Sequence, residues 1–291
     1  MTIEIGCGQI TWRGTGQTTD EVLEDIAAAG YAGAPVPRGD SDAAAIAEQF
    51  ERHHLKPAPG YFGGNFWDVS RREEYLAQAR RVAEISRQLG VTELYLADNG
   101  FDRERPGHRS RRQAAGNVTE ADALSEEEFA QLAEGVSAVA RTTLEHGVRS
   151  CFHNHVGTFV ETRAELERLL SMADPDALFL GPDTGHMAWA GDDPVAFFRD
   201  HRDRILTAHI KDIGKQALEE GRRQNWDYRT YSDNGIFTEL GEGVVDWDGL
   251  FGTLREGGFS GWLIVETDVT QLPTPRDSAI KSRESLRRWG L

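Results

Sequence analysis

The chain has 291 residues, 27% of them charged, and a formal charge of -16 at neutral pH. Such a surface repels phosphate backbones and anionic lipid, so the composition argues against nucleic-acid and membrane-surface partners. No apolar run of about 18 residues and no basic segment leading into an apolar one is present; neither a membrane span nor a secretory leader is expected, and the expected location is the cytoplasm.

Ile3 to Ile10 alternates into a first strand, with Gln9 and Trp12 at its C-terminal end as expected substrate contacts. Thr18 or Thr19 caps the following helix, which Gly30 closes. Tyr31 to Val36 is a second strand, and Asp40 or Ser41 starts a helix through about His53. Leu55 to Phe62 is a third strand interrupted by Pro57 and Pro59, and Phe62 is expected to floor a pocket together with Phe66 and Trp67. Arg71 to Leu89 is helical, and Glu93 to Ala97 is a fourth strand.

The segment from Asp98 to Leu124 has little periodicity and reads as a long functional loop. Its basic stretch, Arg103 to Arg112, reads as a solvated loop first and as a lid for an anionic substrate group second. Ser125 and Glu128 form a capping box for a helix to His146. Strand five ends on His153, Asn154 and His155, and Thr162 with Glu165 opens the next helix. Strand six, Leu178 to Leu180, leads to Asp183 and His186 in a turn; strand seven, Ile205 to Ile210, carries His209 with Lys211 just beyond.

A second insertion, Gly214 to Gly243, holds Trp226, Tyr228, Tyr231 and Phe237, and is expected to fold over the site or a partner subunit, with Trp226 against substrate. Trp247 to Glu256 is a helix, strand eight ends on Glu266, and Ser278 to Trp289 is a final helix. Eight strands alternating with helices specify an α/β chain, a single (β/α)8 TIM barrel over residues 1–291 with long loops after strands four and seven. Cys7 and Cys151 sit inside strands without metal-type spacing and read as small buried hydrophobes.

Several strands thus end on an Asp, Glu or His, on the rim where barrel enzymes carry their chemistry. Asp183, His209 and Glu266, joined by His153 or Glu161, are a mixed carboxylate and imidazole set suited to Mn2+, Mg2+, Co2+, Fe2+ or Zn2+. A divalent ion is the expected cofactor. His153, His155, His186 and Lys211 are the candidates for acid and base work, with a ligand-orienting role as the alternative for His155 and His186.

The stretches FHNHVGTFVET (Phe152 to Thr162), PDTGHMAWAGDDP (Pro182 to Pro194), AHIKD (Ala208 to Asp212), GEGVVDW (Gly241 to Trp247) and GWLIVE (Gly261 to Glu266) carry a resemblance. In them the chain resembles the sugar phosphate isomerase/epimerase superfamily, the xylose-isomerase-like TIM barrels, and within it the inosose dehydratase branch. The resemblance implies Asp183, His209 and Glu266 as metal ligands, with Mn2+ placed first. Many relatives read E-N-H where this chain reads H-N-H, and Glu161 is preferred over His153 as the fourth ligand.

It further implies proton abstraction beside a carbonyl, followed by β-elimination from a keto-inositol, a 3-keto-sugar or a 3-keto-glycoside. A ketose isomerase or epimerase is the alternative. An endonuclease IV type of phosphodiesterase and a barrel subunit acting only in a hetero-complex rank lower. The expected partner is a small keto-sugar or keto-cyclitol; self-association is left open.

Overall fold

The computed structural model describes residues 2–37 and 42–291, so the helix start expected at Asp40 or Ser41 lies outside the described residues. Within them, Asp42 caps the helix Ala43–Arg52 by accepting from the Ala44 N–H at 3.0 Å. In chain order the strands are β1 (Ile3–Cys7), β2 (Gly33–Pro35), β3 (Lys56–Ala58), β4 (Gly60–Gly64), β5 (Glu93–Asp98), β6 (Arg149–Phe152), β7 (Leu178–Leu180), β8 (Ala208–Ile210), β9 (Asp212–Ile213), β10 (Phe237–Thr238) and β11 (Gly261–Val265).

Two parallel sheets run in the orders β3-β2-β1-β11-β8 and β4-β5-β6-β7. Chain continuity through Pro59 joins them on one side, and parallel bridges Leu180 to Ile205 and Asp183 to His209 join them on the other. The result is a closed (β/α)8 barrel, with β3 and β4 as one stave. Pro59 has no N–H to donate, which splits that stave as its sequence indicates.

Helices pack outside the barrel over an extended apolar core, while Ala58, Tyr95 and Ile264 fill its interior. The Tyr95 hydroxyl pairs with Thr207 Oγ1 at 2.6 Å, and Thr207 in turn donates to the Trp262 carbonyl at 2.9 Å. A satisfied polar plug therefore lies below the rim. Capping boxes form where expected, at Thr18 with Glu21, Ser125 with Glu128 and Thr162 with Glu165.

Two regions carry structure that the sequence reading did not specify. Asp183 opens a helix, Thr184–Ala190, in place of a simple turn, and Gly191 closes it in the left-handed conformation at φ 97°. The insertion after β8 forms the antiparallel β9/β10 pair and the helices Lys215–Gln224 and Tyr228–Asp233. Its aromatics build a second core from Tyr231 and Phe237 with Val156 and Trp189. That core clamps the insertion onto the C-terminal face.

The other long loop is tied down by its arginines. Arg103 pairs with Glu128 at 2.5 Å, Arg109 with Asp122 at 2.7 Å and Arg112 with Asp102 at 2.7 Å. The basic stretch is consumed in holding its own loop, which favours the structural over the anion-binding reading.

Candidate active site

Four staves deliver polar side chains to one point on the C-terminal rim. His153 follows β6, Asp183 follows β7, His209 lies in β8 with Lys211 beyond it, and Glu266 and Asp268 follow β11. A ligand atom from each of His153, Asp183 and His209 falls within 4.8 Å of the other two, and all three residues are buried. His209 Nδ1 lies 3.2 Å from Glu266 Oε2 and 3.9 Å from Asp183 Oδ2.

Local structure aims these groups. One Asp183 oxygen caps its helix by accepting from the His186 N–H at 2.9 Å, and the Asp183 N–H donates to Asn154 Oδ1 at 3.0 Å. The other oxygen, Oδ2, is left without a hydrogen-bond partner, as are His153 Nδ1 and both ring nitrogens of His209. Buried polar atoms are rarely left unpaired, so lone pairs converging in this way fit a bound divalent cation. Gly8 is required beside them, because a Cβ there would collide with the Glu266 carboxylate.

Lys211 lies next to this set. Its Nζ is 3.2 Å from Asp183 Oδ2, 3.4 Å from Glu266 Oε2 and 2.7 Å from Asp268 Oδ1. Burial works against the ammonium, but Asp183, Asp268 and Glu266 outweigh it and hold the lysine charged far above its usual range. Burial also raises the Glu266 carboxyl, yet His209 and Lys211 bring it down to about 2. Asp183 and Asp268 are shifted upward by burial despite Lys211.

The His155 and His186 rings lie 3.7 Å apart between centroids, tilted by 38°. Burial and the charge on Lys211 depress His155 to about 3. Burial and the neighbouring His155 ring depress His186 well below the ordinary imidazole range. Both rings are neutral at physiological pH. His155 Nδ1 faces the Val156 carbonyl at 2.7 Å, an arrangement that puts the ring proton on Nδ1 and leaves a lone pair on Nε2.

Several expected site residues lie elsewhere. Glu161 is buried, but its carboxylate accepts from the Gly116 N–H at 2.8 Å and the Gly157 N–H at 2.7 Å and lies 3.7 Å from Arg111. Those partners occupy it away from Asp183 and His209, so the ligand expectation passes from Glu161 to His153. Phe62 faces the outer helices, 6.5 Å from Tyr75, because period-two alternation along β4 turns Tyr61 inward instead. Trp12 is buried with its indole N–H on Asp25 at 3.0 Å, and the Trp226 ring packs on Tyr231 at 5.6 Å. Gln9 stands at the rim with its amide nitrogen donating to the Pro35 carbonyl at 3.0 Å.

Tyr61, Tyr95 and Asp268 escaped sequence reasoning, whereas Tyr228 belongs to the insertion expected to fold over the site. Tyr61 lies 5.4 Å from His153, Tyr95 lies 4.1 Å from His209, and Tyr228 stacks 5.9 Å from His155. Asp268, two positions past Glu266, was visible only as one carboxylate among many.

The profile of the xylose isomerase-like TIM barrel family matches residues 23–289. The chain belongs to this family. It is 32% identical over 272 residues to an inosose dehydratase of Geobacillus kaustophilus, covering 91% of this chain and 87% of that one. Two solved members of the fold superpose over nearly its whole length. The 3-keto-D-glucoside 4-epimerase YcjR of E. coli does so with a TM-score of 0.71, 15% identity and coverage of 99% of this chain and 100% of the other. The IolI protein with a bound zinc atom gives a TM-score of 0.71 at 16% identity, covering 98% and 97%. No helix among the described residues is long and apolar enough to cross a membrane.

Proposed function

We propose that this xylose isomerase-like barrel, acting as one domain over residues 1–291, is a divalent-metal-dependent lyase for a keto-inositol, a 3-keto-sugar or a 3-keto-glycoside. The observation that carries the reading is the convergence of unpartnered, buried lone pairs of His153, Asp183 and His209 beside a charged Lys211. The resemblance to an inosose dehydratase supports a dehydrating reaction on a cyclitol.

In this reading His153, Asp183, His209 and Glu266 hold the ion, which supplies polarisation of the substrate carbonyl when bound. Mn2+ suits the oxygen and imidazole donors, and Zn2+ suits them as well. His155 Nε2 takes the proton from the carbon beside the carbonyl. The Lys211 ammonium donates hydrogen bonds to the oxygen on which negative charge develops. The protonated His155 then returns that proton to the departing hydroxyl on the next carbon; the C–O bond breaks, a C=C bond forms and water leaves. Return of the proton to carbon instead gives isomerisation or epimerisation, and the solved 3-keto-glucoside epimerase keeps that alternative in view. Neutral His155 and fixed Lys211 serve both outcomes.

Proton NMR of the Mn2+-loaded protein with scyllo-inosose and with a 3-keto-glucoside, the ion removed before recording, separates the two. Loss of water or of aglycone supports the lyase. A rearranged ketose with no elimination product replaces it by an isomerase.

A further inference from the structure

Beside the His153, Asp183 and His209 set lies a second one. Ligand atoms of His155, His186 and Asp268 also fall within 4.8 Å of one another. His186 is fully buried with Nδ1 unpartnered. By donor type this second group suits a divalent ion as well as the first does. Yet a side chain already stands in it: Lys211 Nζ is 2.7 Å from Asp268 Oδ1 and 3.3 Å from His186 Nε2, while reaching Asp183 and Glu266 at 3.2 and 3.4 Å on its other side.

We propose that the Lys211 ammonium is the built-in second cation of this centre and limits it to one divalent ion. The inference rests on the metal reading of the site given above. Charge balance supports it: metal-ligating histidines are neutral, and Asp183, Glu266 and Asp268 bring three negative charges against one on Lys211. One divalent ion neutralises the remainder. A second, added while Lys211 stays, would leave two uncompensated positive charges in a buried pocket, against one when Lys211 is removed.

The lysine is also built into place. Thr184 Oγ1 donates to the Lys211 carbonyl at 2.8 Å and accepts from its N–H at 2.9 Å, so the backbone is clamped on both sides. Its stem passes over Gly185, where a Cβ would come within 2.8 Å of Lys211 Cγ. A protonated lysine cannot ligate a metal, so where Nζ stands an ion does not. The consequence is one cation that chelators remove and one that they cannot.

The test is the Mn2+ stoichiometry of the whole chain by titration calorimetry, with circular dichroism as the fold control. Wild type binds one ion, Lys211→Ala binds two, and Lys211→Ala combined with Asp268→Ala binds one again. A Lys211→Ala protein that folds and binds a single ion overturns the proposal while leaving the metal reading intact; a wild type that binds none removes both. Electron paramagnetic resonance of Mn2+-saturated wild type decides the matter even if the variants do not fold. Isolated-ion spectra agree with the proposal, and a spin-coupled Mn2+ pair overturns it.

Discussion

Arg111 and Glu161 face each other at 3.7 Å with both side chains fully buried. Arg111 also binds Glu165 through both terminal nitrogens, at 2.8 and 3.0 Å, and so ties the loop after β5 to the segment that follows β6. Glu161 belongs to that tie. Burial lifts its carboxyl to about 7 in spite of Arg111. Removing one member of a buried ion pair costs about 3–5 kcal/mol, because the partner charge is left stranded. Arg111→Ala is expected to lose that much stability in urea unfolding, and a loss below about 1 kcal/mol would show the tie to be idle.

The same geometry separates Glu161 from the proposed ligand set of His153, Asp183 and His209. His153→Ala is expected to weaken Mn2+ binding by more than the roughly 10–100-fold that loss of an outer hydrogen-bond partner costs. Glu161→Gln keeps the acceptor for a backbone N–H and is expected to bind Mn2+ within about threefold of wild type. Calorimetric titration of both variants checks the assignment, and the reverse ranking would return Glu161 to the ligand set.

Tyr228 stacks on His155 at 5.9 Å and leans on Trp189 at 5.1 Å. In the proposed lyase it would wall the substrate pocket beside His155, outside the proposed metal ligands. Tyr228→Ala should lower kcat/KM by about 10–100-fold, the equivalent of about 1.4–2.7 kcal/mol, with metal content unchanged. Trp226→Ala, whose ring packs on Tyr231 instead, should stay near wild type in steady-state kinetics. Equal losses in the two would mean that the insertion acts as a rigid whole.

Asp98, the last residue of β5, supplies a pH test at a group outside the proposed ligand set. Its Oδ2 accepts from the Gly100 N–H at 3.1 Å and the Phe159 N–H at 3.0 Å, while Oδ1 is buried without a partner. Burial outweighs these bonds and raises the carboxyl from 3.8 to about 6. A carboxyl raised in the folded state binds its proton more tightly there, so its stabilising contribution is complete below about pH 4 and is lost as pH rises through 6. The full effect is about 3 kcal/mol. Asp98→Asn should therefore gain stability relative to wild type at pH 7.5, and about 2 kcal/mol less of it at pH 4.5. Chemical denaturation at both values checks this, and a gain independent of pH would contradict it.

How much of this was legible in the sequence follows from the reach of each signal. Capping boxes such as Ser125 with Glu128 are local, and they formed as written. Strand ends carrying Asp183, His209 and Glu266 were readable because an apolar run followed by an acid or a histidine survives without tertiary information. Which face of a strand looks inward does not. Gly60–Gly64 alternates the same way in either phase, and only the packing of Phe62 on Tyr75 sends Tyr61 to the site. Glu161 and His153 are eight positions apart in one loop, and the choice between them depended on Arg111 and the Gly116 N–H, both distant in sequence. Tyr228 and Asp268 join the site through an insertion and a loop that carry no periodic pattern.

The most direct measurement is exchange at the substrate carbon beside the carbonyl, followed by NMR in D2O for the Mn2+-loaded protein and for the same protein after chelation. Metal-dependent proton loss, with elimination from a keto-inositol or 3-keto-glycoside, is the expected result. Equal exchange with and without metal, or none in either, would contradict proton abstraction by His155 assisted by a metal held at His153, Asp183, His209 and Glu266.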